Sequence, residues 1–141
     1  MNGRTIFVAS LISLALLAPV SVQAEKIETK PFIKGSPTDM GTCAITVQFF
    51  SFADGIDDRA LTLVEHYAEA NSDVTSPRLY PWGMEGEKTL CLNTTSSDKT
   101  SAVFAAIKSI LPPKPLLGRI TLMMGEESYS VPGLPTPPPA K

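Results

Sequence analysis

Few residues in this chain combine a reactive type with a spacing that chemistry can use. The single histidine, His66, stands between Glu65 and Tyr67. As a general base it needs a nucleophile brought from elsewhere in the fold. As a metal ligand it needs partners one helical turn away, yet Thr62 and Ala70 hold the positions four before and four after, and only Glu69 offers an oxygen. One carboxylate does not complete a site, so His66 reads as a surface or boundary residue. Asp54, Asp57 and Asp58 form an acidic cluster that a hard cation would favour, but the ligand pattern and closing Glu of a calcium loop are missing. Helix capping accounts for Asp57 and Asp58 without a metal. A hydrolase-like site would have to draw Asp54, Asp57 or Glu85 to His66, and no nucleophile elbow, phosphate loop, HExxH or EF-hand motif supports one. The five methionines make no soft-metal run and read as core filler. No catalytic residue, metal or cofactor is expected.

Recognition is better served. The segment Tyr80 to Lys88 sets the only tryptophan, Trp82, beside Tyr80, Met84, Glu85 and Glu87, in a loop with glycines at 83 and 86. Amphipathic aromatics on loops are common binding anchors. The plainer alternative folds Trp82 back onto the sheet and leaves the carboxylates solvated. Asn93-Thr94-Thr95 matches a glycosylation sequon, which matters only in a eukaryotic secretory pathway.

These residues depend on a central stretch, Thr42 to Phe52, whose β-branched and aromatic side chains predict a strand. Cys43, Ile45, Val47 and Phe49 share one face, and Ala44, Thr46, Gln48, Phe50 and Phe52 the other. Both faces are largely apolar, which predicts cover on both sides or a partner on one. Ala53-Asp54-Gly55 is a turn, and Asp57 caps a helix over Asp58 to Ala70 with a stripe of Ala60, Leu61, Val64, Tyr67 and Ala68. Val74 to Trp82 is a poor strand, because Pro77 and Pro81 lack donors, and it is expected at a sheet edge. Lys88 to Thr94 is a second good strand, pairing with it as a hairpin. Thr95 to Asp98 matches a capping box ahead of a helix to Leu111, which Pro112-Pro113 ends. A final strand runs from Arg119 to Gly125, with a weak extension through Tyr129 to Val131.

The order strand, helix, strand, strand, helix, strand predicts an α+β domain of the ferredoxin-like split βαββαβ type, with one antiparallel sheet. It makes the strands of Cys43 and Cys91 antiparallel neighbours, and a Cys43–Cys91 disulfide is expected. Such a bridge requires both cysteines on one face, so Leu90 and Leu92 would point to the other with Phe50 and Phe52. That apolar set is a candidate interface for a protein partner, including a second copy of the chain. The alternatives place Cys43 in an irregular segment before the strand, or lay the N-terminal arm or the tail over the patch.

Around this domain, residues 42–131, lie three further segments. Residues 1–24, with Arg4, an apolar run from Ile6 to Leu17 and Val22-Gln23-Ala24, have the layout of a cleaved signal peptide. The apolar run is shorter than the roughly 20 residues of a membrane span. Residues 25–41 read as a mobile arm with a short extended piece around Phe32 and Ile33. Residues 132–141, PGLPTPPPAK, favour polyproline II, either as a stiff solvated tail or as a ligand for an aromatic groove. The expected product is periplasmic or extracellular, without stable membrane insertion. Losing Arg4 takes the net charge from −2 to −3, a balance that disfavours nucleic acid. The functional expectation is an exported, non-enzymatic binding or accessory protein. The alternatives are a small inhibitor or immunity-type protein and, third, the hydrolase-like enzyme.

Overall fold

The computed structural model describes residues 32–36 and 40–131. The expected signal segment, most of the arm and the proline-rich tail lie outside these residues. A mixed sheet of six strands carries two helices, an α+β architecture. The elements in chain order are β1 (Ile33–Lys34), β2 (Ile45–Phe50), α1 (Asp58–Ala70), β3 (Arg78–Pro81), β4 (Lys88–Leu92), α2 (Ser97–Ile110), β5 (Arg119–Met124) and β6 (Glu127–Val131). Across the sheet they run β1-β3-β4-β2-β5-β6.

The expectation of a purely antiparallel sheet is corrected by β1, which pairs parallel to β3. The physical reason lies in the backbone of β3. Pro77 cannot donate, but its carbonyl and that of Leu79 accept from Ile33 N at 3.3 Å and Gly35 N at 3.0 Å. The short extended piece around Phe32 and Ile33 therefore covers the edge expected to stay open, as exposed edges generally require. β3 itself is shorter than the expected 74–82 run, and Val74 makes only an isolated bridge with Thr94. At the opposite edge the weak extension is a full strand, β6. It joins β5 through a two-residue turn whose first residue, Gly125, has φ of 56°, a value that costs glycine little.

β2 sits in the middle, antiparallel to both β4 and β5. Ile45, Val47 and Phe49 have no exposed surface and meet Leu90, Leu92, Ile120 and Leu122 on the same side of the sheet. The helices close this side with Ala60, Leu61, Val64 and Ala68 from α1 and Val103, Phe104 and Ile107 from α2, forming a single core. Leu90 and Leu92 are thus core residues, and their expected place beside Phe50 and Phe52 is corrected. The cause is Cys43, which precedes β2 instead of belonging to it. The chain bends at Ala44, held by a bond from its N–H to Asn93 Oδ1 at 3.1 Å, and Cys43 reaches Cys91 across the face opposite the helices. The Cys43–Cys91 disulfide joins Cα atoms 5.3 Å apart and closes a 48-residue separation, for which loop entropy gives on the order of 4 kcal/mol.

One end of the sheet is tied by Asp57, a buried carboxylate. Its Oδ1 accepts from Ala60 N at 3.0 Å, the expected cap of α1, and its Oδ2 accepts from Leu116 N at 2.7 Å. The same connector turns at Gly118, whose φ is 65° and where any Cβ would collide with the carbonyl oxygen of Phe50. Asp57→Ala removes the cap and strands a part-buried amide, so a loss of about 2 to 4 kcal/mol is expected from the two terms together. The shift of the urea midpoint measures it, and a loss below the capping term alone would show that Leu116 does not need its partner.

On α1, Glu65 is half-buried, and burial lifts its carboxyl above the ordinary value of 4.5 despite the attraction of Lys88 and with further upward pressure from Glu69. A carboxyl whose pKa is higher folded than unfolded binds more protons in the folded state. Its contribution is therefore complete below the unfolded value and is lost as pH rises through the folded one. Glu65→Gln is expected to stabilise the fold at neutral pH relative to wild type and to lose that advantage in acid. Melting temperatures that move in parallel across the pH range would contradict it.

Candidate functional site

The sheet face away from the helices carries the alternate residues of each strand. Thr46, Gln48 and Phe50 come from β2, Cys91 and Thr89 from β4, Arg78 and Tyr80 from β3, and Arg119, Thr121 and Met123 from β5. Because Phe49 pairs with Lys88 and Phe50 with Arg119, the end of this face is a row built from three different loops and strands. Trp82 enters that row one position beyond Pro81, its backbone N–H bonded to Glu87 O at 2.9 Å.

The contacts within the row are specific. Trp82 meets Phe50 edge-on, with ring centroids 5.5 Å apart and planes at 79°, and the Arg119 guanidinium lies 4.6 Å from the Phe50 centroid. Contacts of this geometry contribute roughly 0.5 to 1.5 kcal/mol each beyond the area they bury. The indole Nε1–H donates to Thr89 Oγ1 at 2.9 Å, which anchors the ring on the sheet and satisfies a buried hydroxyl. Trp82 keeps part of its surface exposed. Beside it opens a cavity of about 210 Å³ lined by Met40, Gln48, Tyr80, Trp82 and Thr89. That volume is below the roughly 300 Å³ at which small-molecule sites begin.

The expected site residues divide by role. Tyr80 is buried, its ring beneath the backbone of Gly35, and it serves as floor. Met84 is fully exposed at the hairpin tip. Glu85 is structural: its carboxylate accepts from Ser51 Oγ at 2.6 Å and Ala53 N at 2.8 Å, tying the hairpin to the loop after β2, where Ala53 has φ of 91°. Glu87 accepts from Glu85 N at 3.0 Å and holds the turn. Phe50 belongs to the row, whereas Phe52 is exposed near a second cleft formed with Asp54 and residues 114–118. Arg119, Gln48, Thr89 and Met40 escaped sequence reasoning, since only strand pairing shows that Arg119 stands opposite Phe50.

The groups suspected of chemistry have these places in the fold. His66 is exposed on α1, Asp57 is committed to two backbone amides, and Asp58 pairs with Lys88 at 3.7 Å. Among the described residues no group of three or more His, Cys, Asp or Glu side chains is placed to hold a metal, and no helix is long and apolar enough to cross a membrane. Asn93 of the sequon uses its side-chain oxygen to hold Ala44.

No protein-family model, curated protein or solved structure matches this chain.

Glu85→Ala should release the loop after β2 while costing the whole fold less than about 1 kcal/mol, because the bonds lost are exposed ones. Hydrogen exchange at the Ala53 amide is expected to accelerate with the melting temperature nearly unchanged. An unaltered Ala53 rate would show that the turn holds itself.

Proposed function

We propose that this chain is an exported, non-enzymatic binding or accessory protein of the periplasm or cell exterior, acting on a protein partner through the Trp82 row. The observation that carries the reading is the half-exposed Trp82, locked by Phe50 and Thr89 beside a cavity sized for a side chain. A pre-anchored aromatic loses little conformational freedom on binding, which is why tryptophan and arginine dominate interface energetics. The Cys43–Cys91 disulfide supports the oxidising compartment. The strand order β3-β4-β2-β5, with both helices on one face, supports the ferredoxin-like reading, with β1 and β6 added at its edges.

A second reading, an inhibitor or immunity-type protein, is favoured by the hairpin tip. Met84 projects fully into solvent from a turn braced by Glu85 and Glu87, a geometry that suits insertion into an enzyme cleft.

Affinity capture from the native compartment with the full chain separates the two. Under the first reading Trp82→Ala lowers recovery of the partner at least tenfold and Met84→Asp has little effect. Under the second the order reverses. Capture that neither variant changes, or no partner at all for a strictly monomeric protein, would sink both.

A further inference from the structure

The two edges of the sheet are finished differently. On the β3 side Pro77 and Pro81 withhold donors, and β1, only two residues long, lies along what remains. On the other side β6, Glu-Ser-Tyr-Ser-Val, runs five residues with no proline, no lysine and no break in its register with β5. Among the described residues nothing pairs with its outer side. An edge without such protection is a template for another strand.

The register says which backbone groups face outward. Met124 and Glu127 pair across a two-residue turn, so they exchange both backbone bonds, and the positions bonded to β5 then alternate as Glu127, Tyr129 and Val131. Ser128 and Ser130 therefore turn their N–H and C=O groups away from β5. Set antiparallel to a second copy of itself with Tyr129 opposite Tyr129, β6 brings Ser128 against Ser130 twice, and every one of these outward groups is met. A register shifted toward the C-terminus would set Ser128 opposite Pro132, which has no N–H, and leave the Ser128 carbonyl unmet.

The side chains are self-complementary in the same register. Tyr129 and Val131 pack against the core on the helix side, and Glu127 shares that side while remaining exposed. Lys108 Nζ of α2 lies 4.9 Å from the centre of the Tyr129 ring, and Lys108 makes no ion pair among the described residues. Glu127 of the second copy is the diagonal neighbour of Tyr129 across the seam, about 7 to 8 Å away, within the span of the Lys108 side chain. Two-fold symmetry makes that contact twice and keeps the two Glu127 residues about 14 Å apart. The helices have room, because α2 packs over β5. β5 and its copy would stand three strand spacings apart, about 14 Å, more than the about 8 to 10 Å that packed helices need.

We propose that β6 is a docking edge for a second copy of this chain, the two β6 strands pairing antiparallel about Tyr129 and joining the sheets into one. A foreign extended peptide meets the same backbone groups, but only a second copy presents Glu127 to Lys108 and Lys108 to Glu127 at once. The contact goes beyond the binding role of the Trp82 row and does not depend on it.

The test is sedimentation of the full chain across a concentration series, with hydrogen exchange read at Ser128 and Ser130. A dimer is expected, in which both serine amides exchange at least about tenfold more slowly than in the monomer at high dilution. Lys108→Glu and Glu127→Lys should each weaken the dimer about tenfold or more, since each sets like charges across the seam. Mixing the two variants should restore it, because opposite charges then meet at both contacts. Both positions are exposed, and melting temperatures close to that of the unaltered chain check that the fold is intact. A chain that is monomeric at every concentration overturns the proposal. So does a dimer whose Ser128 and Ser130 amides exchange as freely as in the monomer, a dimer that neither reversal weakens, or a mixture of the variants that stays monomeric.

Discussion

The register of β2 governs the whole molecule. With Ile45, Val47 and Phe49 sealed against both helices, period-two alternation obliges Thr46, Gln48 and Phe50 to face the other way. A slip of one residue would exchange the two sets, exposing three large apolar side chains and driving Gln48 into the core. Two antiparallel neighbours hold that register along the strand, and the opposite face inherits its composition from this one constraint.

The second face is not a plain surface. Cys43 folds back across it to Cys91, the piece around Phe32 lies along its β3 edge, and Tyr80 is roofed by Gly35. At the end of the sheet Phe50, Trp82 and Arg119 meet and keep part of their surface accessible. The loops at that end are braced against one another. Glu85 links the hairpin to the turn after β2, Asp57 links α1 to the connector before β5, and Gly118 lets that connector pass over the Phe50 carbonyl. Each tie is a carboxylate or a missing side chain at a crowded point, and together they hold the aromatic row at fixed spacing.

A surface built this way suits recognition by shape and aromatic contact. The Trp82 indole N–H is already partnered by Thr89, so covering the ring would strand no donor there. The carboxylates closest to it, Glu85 and Glu87, accept from backbone amides, which makes them determinants of loop geometry.

Much of the architecture was legible from local signals. The two helices, the Asp57 cap, the central strand, the good strand around Cys91 and the disulfide follow from periodicity, capping chemistry and cysteine count, all of which act between near neighbours. Tyr80 and Trp82 were visible by type. Which face each residue took was not, because it depended on where β2 begins: two residues of irregular chain, Cys43 and Ala44, decide whether Leu90 and Leu92 are core or surface. The parallel β1 and the pairing of Arg119 with Phe50 were equally invisible, since both are contacts between segments distant in sequence. Sequence by itself determined which elements form and which residues are apolar. Tertiary pairing alone decided which of them meet, because strand register is set by the partner strand and not by the residues of the strand itself.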